Sequence, residues 1–236
     1  MKKITASLSI IAVLALGSFT VKKLMFTGKN DIKVPEPSDI CLTPSGNGLY
    51  IASDEGGLYE TDLHGKIIRK SSLVGTDFEG VYSNDNFVFV MDESARKVYK
   101  LDHKDLKSVA TFELPYNGAR NAGFESITFN EKKNVFVTVS EKHPVTIFEY
   151  DETFHKVNEV KFNAARDISS ATWHDGNIWL LSDEDMKIFR LDPMTYEITE
   201  KYSINVLNPE GIAFDKEGKL IICSDDMRKL YYYNKP

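Results

Sequence analysis

The chain has 236 residues, 42% of them hydrophobic, two cysteines and a formal net charge of −6. That is enough apolar material for a full core and too little cysteine for a disulfide-stapled scaffold. The first 27 residues hold four lysines and no acid, so the remainder is more acidic still, and without a Lys/Arg cluster its field excludes a phosphate-backbone partner. Cations are the guests such a field favours.

The N-terminus reads "MKKITASLSIIAVLALGSFTVKKLMFTGKN", a basic start followed by an apolar run from Ile4 to about Val21. This pattern fits a secretory signal with small residues in "ALGS" for cleavage. It equally fits an uncleaved anchor, because the run approaches the length of a bilayer span. No cysteine follows it directly, which argues against a lipoprotein signal. The expectation is an exported, cell-envelope protein, with residues 1–27 as signal peptide or membrane anchor and residues 28–236 as the folded domain.

From Ser38 onward the chain repeats itself. "SDICLTPSGNGLYIASDEGGLYETD", "EGVYSNDNFVFVMDESARKVYKLD", "ESITFNEKKNVFVTVSEKHPVTIFEYD", "SSATWHDGNIWLLSDEDMKIFRLD" and "EGIAFDKEGKLIICSDDMRKLYYYN" begin at residues 38, 79, 125, 169 and 210. Each unit holds a short strand, a turn rich in Asn, Asp, Gly and Lys, a second apolar strand closing on Ser and acid, and a third strand carrying Tyr or Phe. A fourth, more polar strand follows in the first four units, as in "KIIRKSSL" and "YEITEKYSI". Four short strands at a period of about 40 residues are the mark of a β-propeller blade. The fold class is therefore all-β, a five-bladed propeller of four-stranded blades. The fifth unit lacks its outer strand, and Asp31 to Val34 is expected to supply it from the N-terminal side, closing the ring and removing open edges.

Two sets of residues should then gather at one end of the channel, because the innermost strand begins, and the second strand ends, on the same face. The leading set is Ser38, Glu79, Glu125, Ser169 and Glu210; the closing set is Asp54, Asp92, Glu141, Asp183 and Asp225. Residues after the leading set are small or polar (Asp39, Gly80, Ser126, Ser170 and Gly211), as crowding at an axis requires. Gathered like charges need raised pKa values, basic partners or bound cations.

Three readings of the acids stand side by side. Asp in the closing set can cap turns by accepting backbone N–H bonds, although turn chemistry does not favour the glutamates. Carboxylates on loops can hold a hard cation, Ca²⁺ before Mg²⁺. Arg120 in "NGARNAGFES" and Arg166 in "NAARDISS" can neutralise the ring or orient an anionic small molecule. Trp173 and Trp179 match apolar positions of other units and are expected in the core, where Cys41 and Cys223 also fall.

The ordered strings "EPSDI", "GFESITF", "DISSATW" and "PEGIAFD", with "SDE" closing second strands, resemble the SdiA-regulated family from about residue 33 to the end. That resemblance implies an envelope-associated propeller, linked to calcium in some members. By position it marks Glu79, Glu125 and Glu210 with Asp54, Asp183 and Asp225. The chain departs from an "EG" repeat at Ser38 and Ser169, so a bound cation is expected off-axis, nearer the glutamates. A looser similarity runs to calcium-dependent lactonases, but none of His64, His103, His143, His155 or His174 follows a repeated position suited to the channel. The expected function is a ligand-binding or sensory envelope protein with Ca²⁺ as the small guest and an anionic small molecule or envelope protein as a further partner. The alternatives are a metal-dependent esterase, lactonase or phosphate-ester hydrolase, and an interaction scaffold without a small ligand.

Overall fold

The structure, a computed structural model, describes residues 20–115, 123–142 and 144–236. Five sheets are arranged radially. Blade 1 comprises Pro37–Leu42, Gly48–Ser53, Gly57–Asp62 and Ile67–Lys70; blade 2 comprises Phe78–Ser83, Phe87–Asp92, Lys97–Asp102 and Ser108–Glu113. Blade 3 runs through Phe124–Asn130, Val135–Ser140, Thr146–Tyr150 and Lys156–Lys161, and blade 4 through Ser170–His174, Asn177–Ser182, Lys187–Leu191 and Ile198–Ser203. Blade 5 holds Pro209–Phe214, Leu220–Ser224 and Lys229–Tyr233, with Phe26–Asp31 as its fourth strand. Innermost strands touch in cyclic order, and Pro209–Phe214 returns to Pro37–Leu42. No helix among the described residues is long and apolar enough to cross a membrane.

Alternation within each strand explains the packing. One face of a blade meets the preceding blade and the other meets the next, so every inner strand is apolar on both faces. The result is five hydrophobic clusters, one at each junction between blades. Ile40 and Ile51 of blade 1, for example, meet Ile221 and Leu230 of blade 5, while Phe89 and Met91 of blade 2 meet Phe124 and Phe136 of blade 3. Outer strands face water instead, as in Lys156–Lys161, where only Val160 is half-buried.

Two placements at the N-terminal side differ from the sequence reading. The strand that pairs with Lys229–Tyr233 is Phe26–Asp31, with Asn30 opposite Leu230, rather than Asp31 to Val34. Ile32 extends this pairing by one bond, its N–H donating to Arg228 O at 2.9 Å, and the side chains of Ile32 and Val34 are buried in the cluster between blades 5 and 1. Strand structure also starts ahead of the expected boundary at residue 28. Val21–Lys23 lies parallel to Ile198–Ser203 as a fifth strand on blade 4, and Lys22 bonds Glu200 at 2.7 Å. The remainder of the expected signal or anchor segment, residues 1–19, lies outside the described residues.

Trp179 is core, as expected, with its indole N–H donating to the His174 carbonyl. Trp173 is not: it is half-buried, packing at the margin of the cluster between blades 3 and 4. The two cysteines are free thiols buried in different clusters, Cys41 between blades 1 and 2 and Cys223 between blades 5 and 1.

Candidate functional site: an acidic mouth over a sealed channel

A local irregularity aims the leading residues. In blades 1, 2, 3 and 5 the register of the first pair of strands slips by one residue, leaving Ser38, Glu79, Glu125 and Glu210 as the unpaired residue of a bulge. A bulge bends the strand and redirects the extra side chain. Here each glutamate turns toward the axis instead of into a blade junction. The glycine that follows in two units permits the close approach: a Cβ on Gly80 would lie 2.9 Å from Ile127 N, and one on Gly211 would lie 2.9 Å from Ile40 N.

The side chains meet in a cavity of about 180 Å³ at one end of the channel. All five leading residues line it, Ser38, Glu79, Glu125, Ser169 and Glu210. Four of the five closing residues join them: Asp54, Glu141, Asp183 and Asp225. The last lining residue is Asp167, and among the described residues none of the lining side chains is basic or histidine.

Asp92, the remaining closing residue, is a turn former. Its carboxylate accepts from Thr76 N at 2.8 Å, Thr76 Oγ1 at 2.7 Å and Ala95 N at 2.9 Å, which holds it in the blade. Blade 2 places other acids near the mouth in its stead. Carboxylate oxygens of Asp77, Glu79 and Glu93 lie within 4.8 Å of one another, a spacing one cation can span. Ser94 Oγ donates to Asp77 at 2.6 Å and Gly123 N donates to Glu93 at 2.6 Å, so two of the three are oriented by neighbours.

Asp77 and Asp167 were missed in the sequence, although a signal was there. Each stands two residues ahead of a leading position, as does Glu36, so three of the five units carry an acid at that spacing. Asp167 is buried, accepting from Ser182 Oγ at 2.6 Å and from the backbone N–H groups of Asp183 and Glu184. It thereby fixes the turn that presents Asp183.

Crowding shows in the electrostatics. Burial first, then the charges of Glu93, Glu141 and Glu210, hold the Glu125 carboxyl well above the usual carboxylate range. Glu79 is raised likewise by burial, with Glu125 and Asp54 adding to it. Burial and the Asp183 charge push Glu210 up to about 8, and burial with Asp225 pushes Asp54, at the open rim, up to about 6. Burial raises Glu93 to about 7, and raises Asp183 and Asp225 as well. Each is a carboxyl whose charged form is disfavoured by burial and by like charges around it, a cost that a positive partner would relieve.

The arginines expected to supply that partner do not line the cavity. Arg166 is largely exposed and turns outward to Asp185, Nε to Oδ1 at 2.9 Å, with Glu184 at 3.7 Å. Asp185 is the nearer acid and removes Arg166 from the ring. Arg120 lies outside the described residues, as does His143. The basic group at the rim is Lys142, which closely pairs with Glu141.

Below the cavity the channel is closed by Asp39, which is fully buried. Its Oδ1 accepts from Ile40 N at 2.9 Å and Ser170 Oγ at 2.7 Å, and its Oδ2 from Val81 N at 3.0 Å and Ser126 Oγ at 3.1 Å. Ser126 and Ser170 in turn accept from Ala171 N and Ile212 N, so one carboxyl ties all five blades at the axis. Burial pushes Asp39 up to about 8 against these four bonds.

A family model described as SdiA-regulated matches residues 36–233. No curated protein matches the chain in sequence. Among solved structures, the Myxococcus xanthus glutaminyl cyclase is similar with a TM-score of 0.75 at 12% identity, over 92% of this chain and 98% of that one. The β-propeller domain of Cps50 (Swd1) from Myceliophteria thermophila is similar with a TM-score of 0.50 at 12% identity, over 84% of this chain and 66% of that one. At such identities the likeness is one of fold.

Proposed function

Because the chain belongs to the SdiA-regulated family, we propose that it is an exported, envelope-associated propeller that binds a ligand at its acidic mouth, with Ca²⁺ as the bound ion. One observation carries the reading: Glu79, Glu125 and Glu210 share a single cavity with Asp54, Asp183 and Asp225, and no basic side chain lines it among the described residues. The donor set is all oxygen, which suits a hard cation, and its mixture of bulged strand and turn positions suits the adaptable shell of Ca²⁺ better than the strict octahedron of Mg²⁺. Glu79, Glu125 and Glu210 would hold the ion, with Asp54, Asp183 and Asp225 closing over it from the rim. The ion's off-axis seat lies toward blade 2, where Asp77 and Glu93 approach Glu79. An anionic small molecule or an envelope protein could then complete the ion's coordination from the solvent side.

A hydrolase using the same carboxylates is the second reading. The Asp77, Glu79 and Glu93 cluster favours it, because Glu79 and Glu93, raised by burial and set close to a third carboxyl, can give and take protons near neutral pH. Against it, no described histidine lines the mouth: His64 lies beside Asn30, His155 beside Thr153 and His174 at the other end of the channel.

The test is a thermal shift with a panel of divalent ions and with EDTA. Binding to the folded state alone raises Tm by mass action, so Ca²⁺ at about 100 times its Kd should add about 2.7 kcal/mol. Glu125→Gln and Glu210→Gln should fold and lose most of that response. An inert protein, with neither millimolar Ca²⁺ nor EDTA shifting Tm, would count against both readings. Hydrolysis of an ester or lactone panel that disappears in Glu210→Gln would favour the second.

A further inference from the structure

The opposite end of the channel carries a second cavity, of about 660 Å³, within the size range of small-molecule sites. All five blades contribute to it, through the far ends of their innermost strands and the turns that follow. Asp39 and its bonded serines stand between the two cavities, so the two mouths are separate chambers.

Aromatic side chains from three blades share its lining with polar ones. Tyr82, Trp173 and Phe214 line it, with the His174 ring stacked on Phe214 at 4.0 Å between centroids and 7° between planes. Tyr82 is stacked on Phe129 at 6.1 Å and Phe89 at 5.9 Å, which fixes its ring. Burial lowers the pKa of His174, so the imidazole is neutral at pH 7 and adds a flat surface rather than a charge. The rim is acidic, with Asp85, Glu131 and Asp215 against one lysine, Lys216. Burial keeps the Tyr82 hydroxyl from ionising, with Cys41, Glu131 and Asp85 adding to the effect. Asp85 and Glu131 line the same cavity as Tyr82 and Trp173, so two carboxylates and two aromatic side chains share one pocket.

Ring faces present negative potential, and carboxylates next to them add to it. A phosphate or carboxylate ligand would meet the wrong field, and a purely apolar one would strand the rim acids. We propose that this pocket binds an organic cation, a quaternary ammonium or protonated amine carried on an apolar body, with the cation against Tyr82 and Trp173 and within reach of Asp85 and Glu131. Trp173, which the sequence assigns to the core, is half-buried because it forms this wall.

The experiment uses the full chain and two matched probes, benzyltrimethylammonium and its neutral isostere neopentylbenzene. The chain has two tryptophans, and Trp179 is buried, so Trp173 is the reporter for fluorescence titration. The cation should bind saturably below about 10 mM, quench emission, and bind about tenfold tighter than the neutral probe. Trp173→Leu should abolish the signal, and Asp85→Asn with Glu131→Gln should weaken binding about tenfold when followed by calorimetry, while Glu125→Gln and Glu210→Gln leave it unchanged. Asp85 and Glu131 are exposed, so their variants test the pocket without threatening the fold. Equal binding of the neutral probe, no saturable binding of the cation, or loss of binding in Glu210→Gln instead of the Asp85 and Glu131 double variant would overturn the proposal.

Discussion

The two ends of this channel are built from the same five strands and have different chemistry. At one end the repeat is nearly symmetric in kind: the leading positions supply three glutamates and two serines, and closing turns supply four more acids. At the other end the far ends of those strands present Leu42, Ser83, Thr128, His174 and Phe214, side chains with no common chemistry. A repeated backbone fixes where side chains go without fixing what they are. Where unlike residues occupy equivalent places, the repeat gives an asymmetric pocket; where like charges do, it gives a shared field that calls for a counterion.

The largest effect should come from the belt that divides the two ends. Asp39→Ala removes the acceptor of the Ser170 hydroxyl and of the Ile40 and Val81 N–H groups and leaves Ser126 Oγ only its longer bond to Ala171 O, at a cost of about 3 kcal/mol or more in urea unfolding. Asp39→Asn keeps one acceptor and should cost less than half of that. Equal losses for the two would mean that the belt works through volume and not through its bonds.

Next in size is the pH response of the acidic end without divalent ions. In the folded protein Glu210 holds its proton up to about 8, and Glu79 and Glu125 are also raised well above their usual range. Between the ordinary carboxylate range and pH 8 the folded state therefore binds more protons than the unfolded chain. Stability is highest at the acid end of that window and falls as pH rises through it. A drop in Tm of about 5 °C or more from pH 5 to pH 9 in EDTA is expected. Saturating Ca²⁺ should flatten it, and a Tm that rises with pH in EDTA would contradict the crowding.

A smaller change comes from the glycines that let the inner strands meet. On Gly80 a Cβ would press on Ile127 N at 2.9 Å and Ser126 Cα at 3.0 Å, so Gly80→Ala should cost about 2 kcal/mol. It should also weaken Ca²⁺ binding by displacing the Glu79 bulge. The smallest effect has the opposite sign: Glu125→Gln removes one of several repelling charges and should raise Tm in EDTA at pH 8 by about 2–4 °C.

The ring of acids was legible because position along a repeated unit maps directly onto position around the axis. Glu79, Glu125, Glu210, Asp54, Asp183 and Asp225 fall among the ten positions that counting along the repeat brings to one end, the family resemblance marks these six, and they share one cavity. The bulges were not legible: "FEGVY" and "PEGIAF" read as plain strands, and nothing in their composition shows the one-residue slip that turns the glutamate inward. Asp92 occupies the same place in the repeat as Asp54, yet Thr76, a residue particular to blade 2, claims its oxygens. Arg166 turns outward for a similar reason, since Asp185 holds its guanidinium. At the N-terminal side Ile32 and Val34 looked like an outer strand because apolar alternation signals burial without saying whether a strand neighbour or a blade junction provides it.

The central claim is that the gathered carboxylates of the acidic mouth hold a cation. Anomalous diffraction from crystals of the protein grown with Ca²⁺, and then exchanged into a heavier lanthanide that prefers the same oxygen ligands, tests it most directly. The account predicts a single strong anomalous peak inside the cavity, displaced from the axis toward Glu79 and within bonding distance of Glu125 or Glu210. Peaks confined to the outer surface, with the cavity carboxyls bonded only to one another and to water, would contradict it.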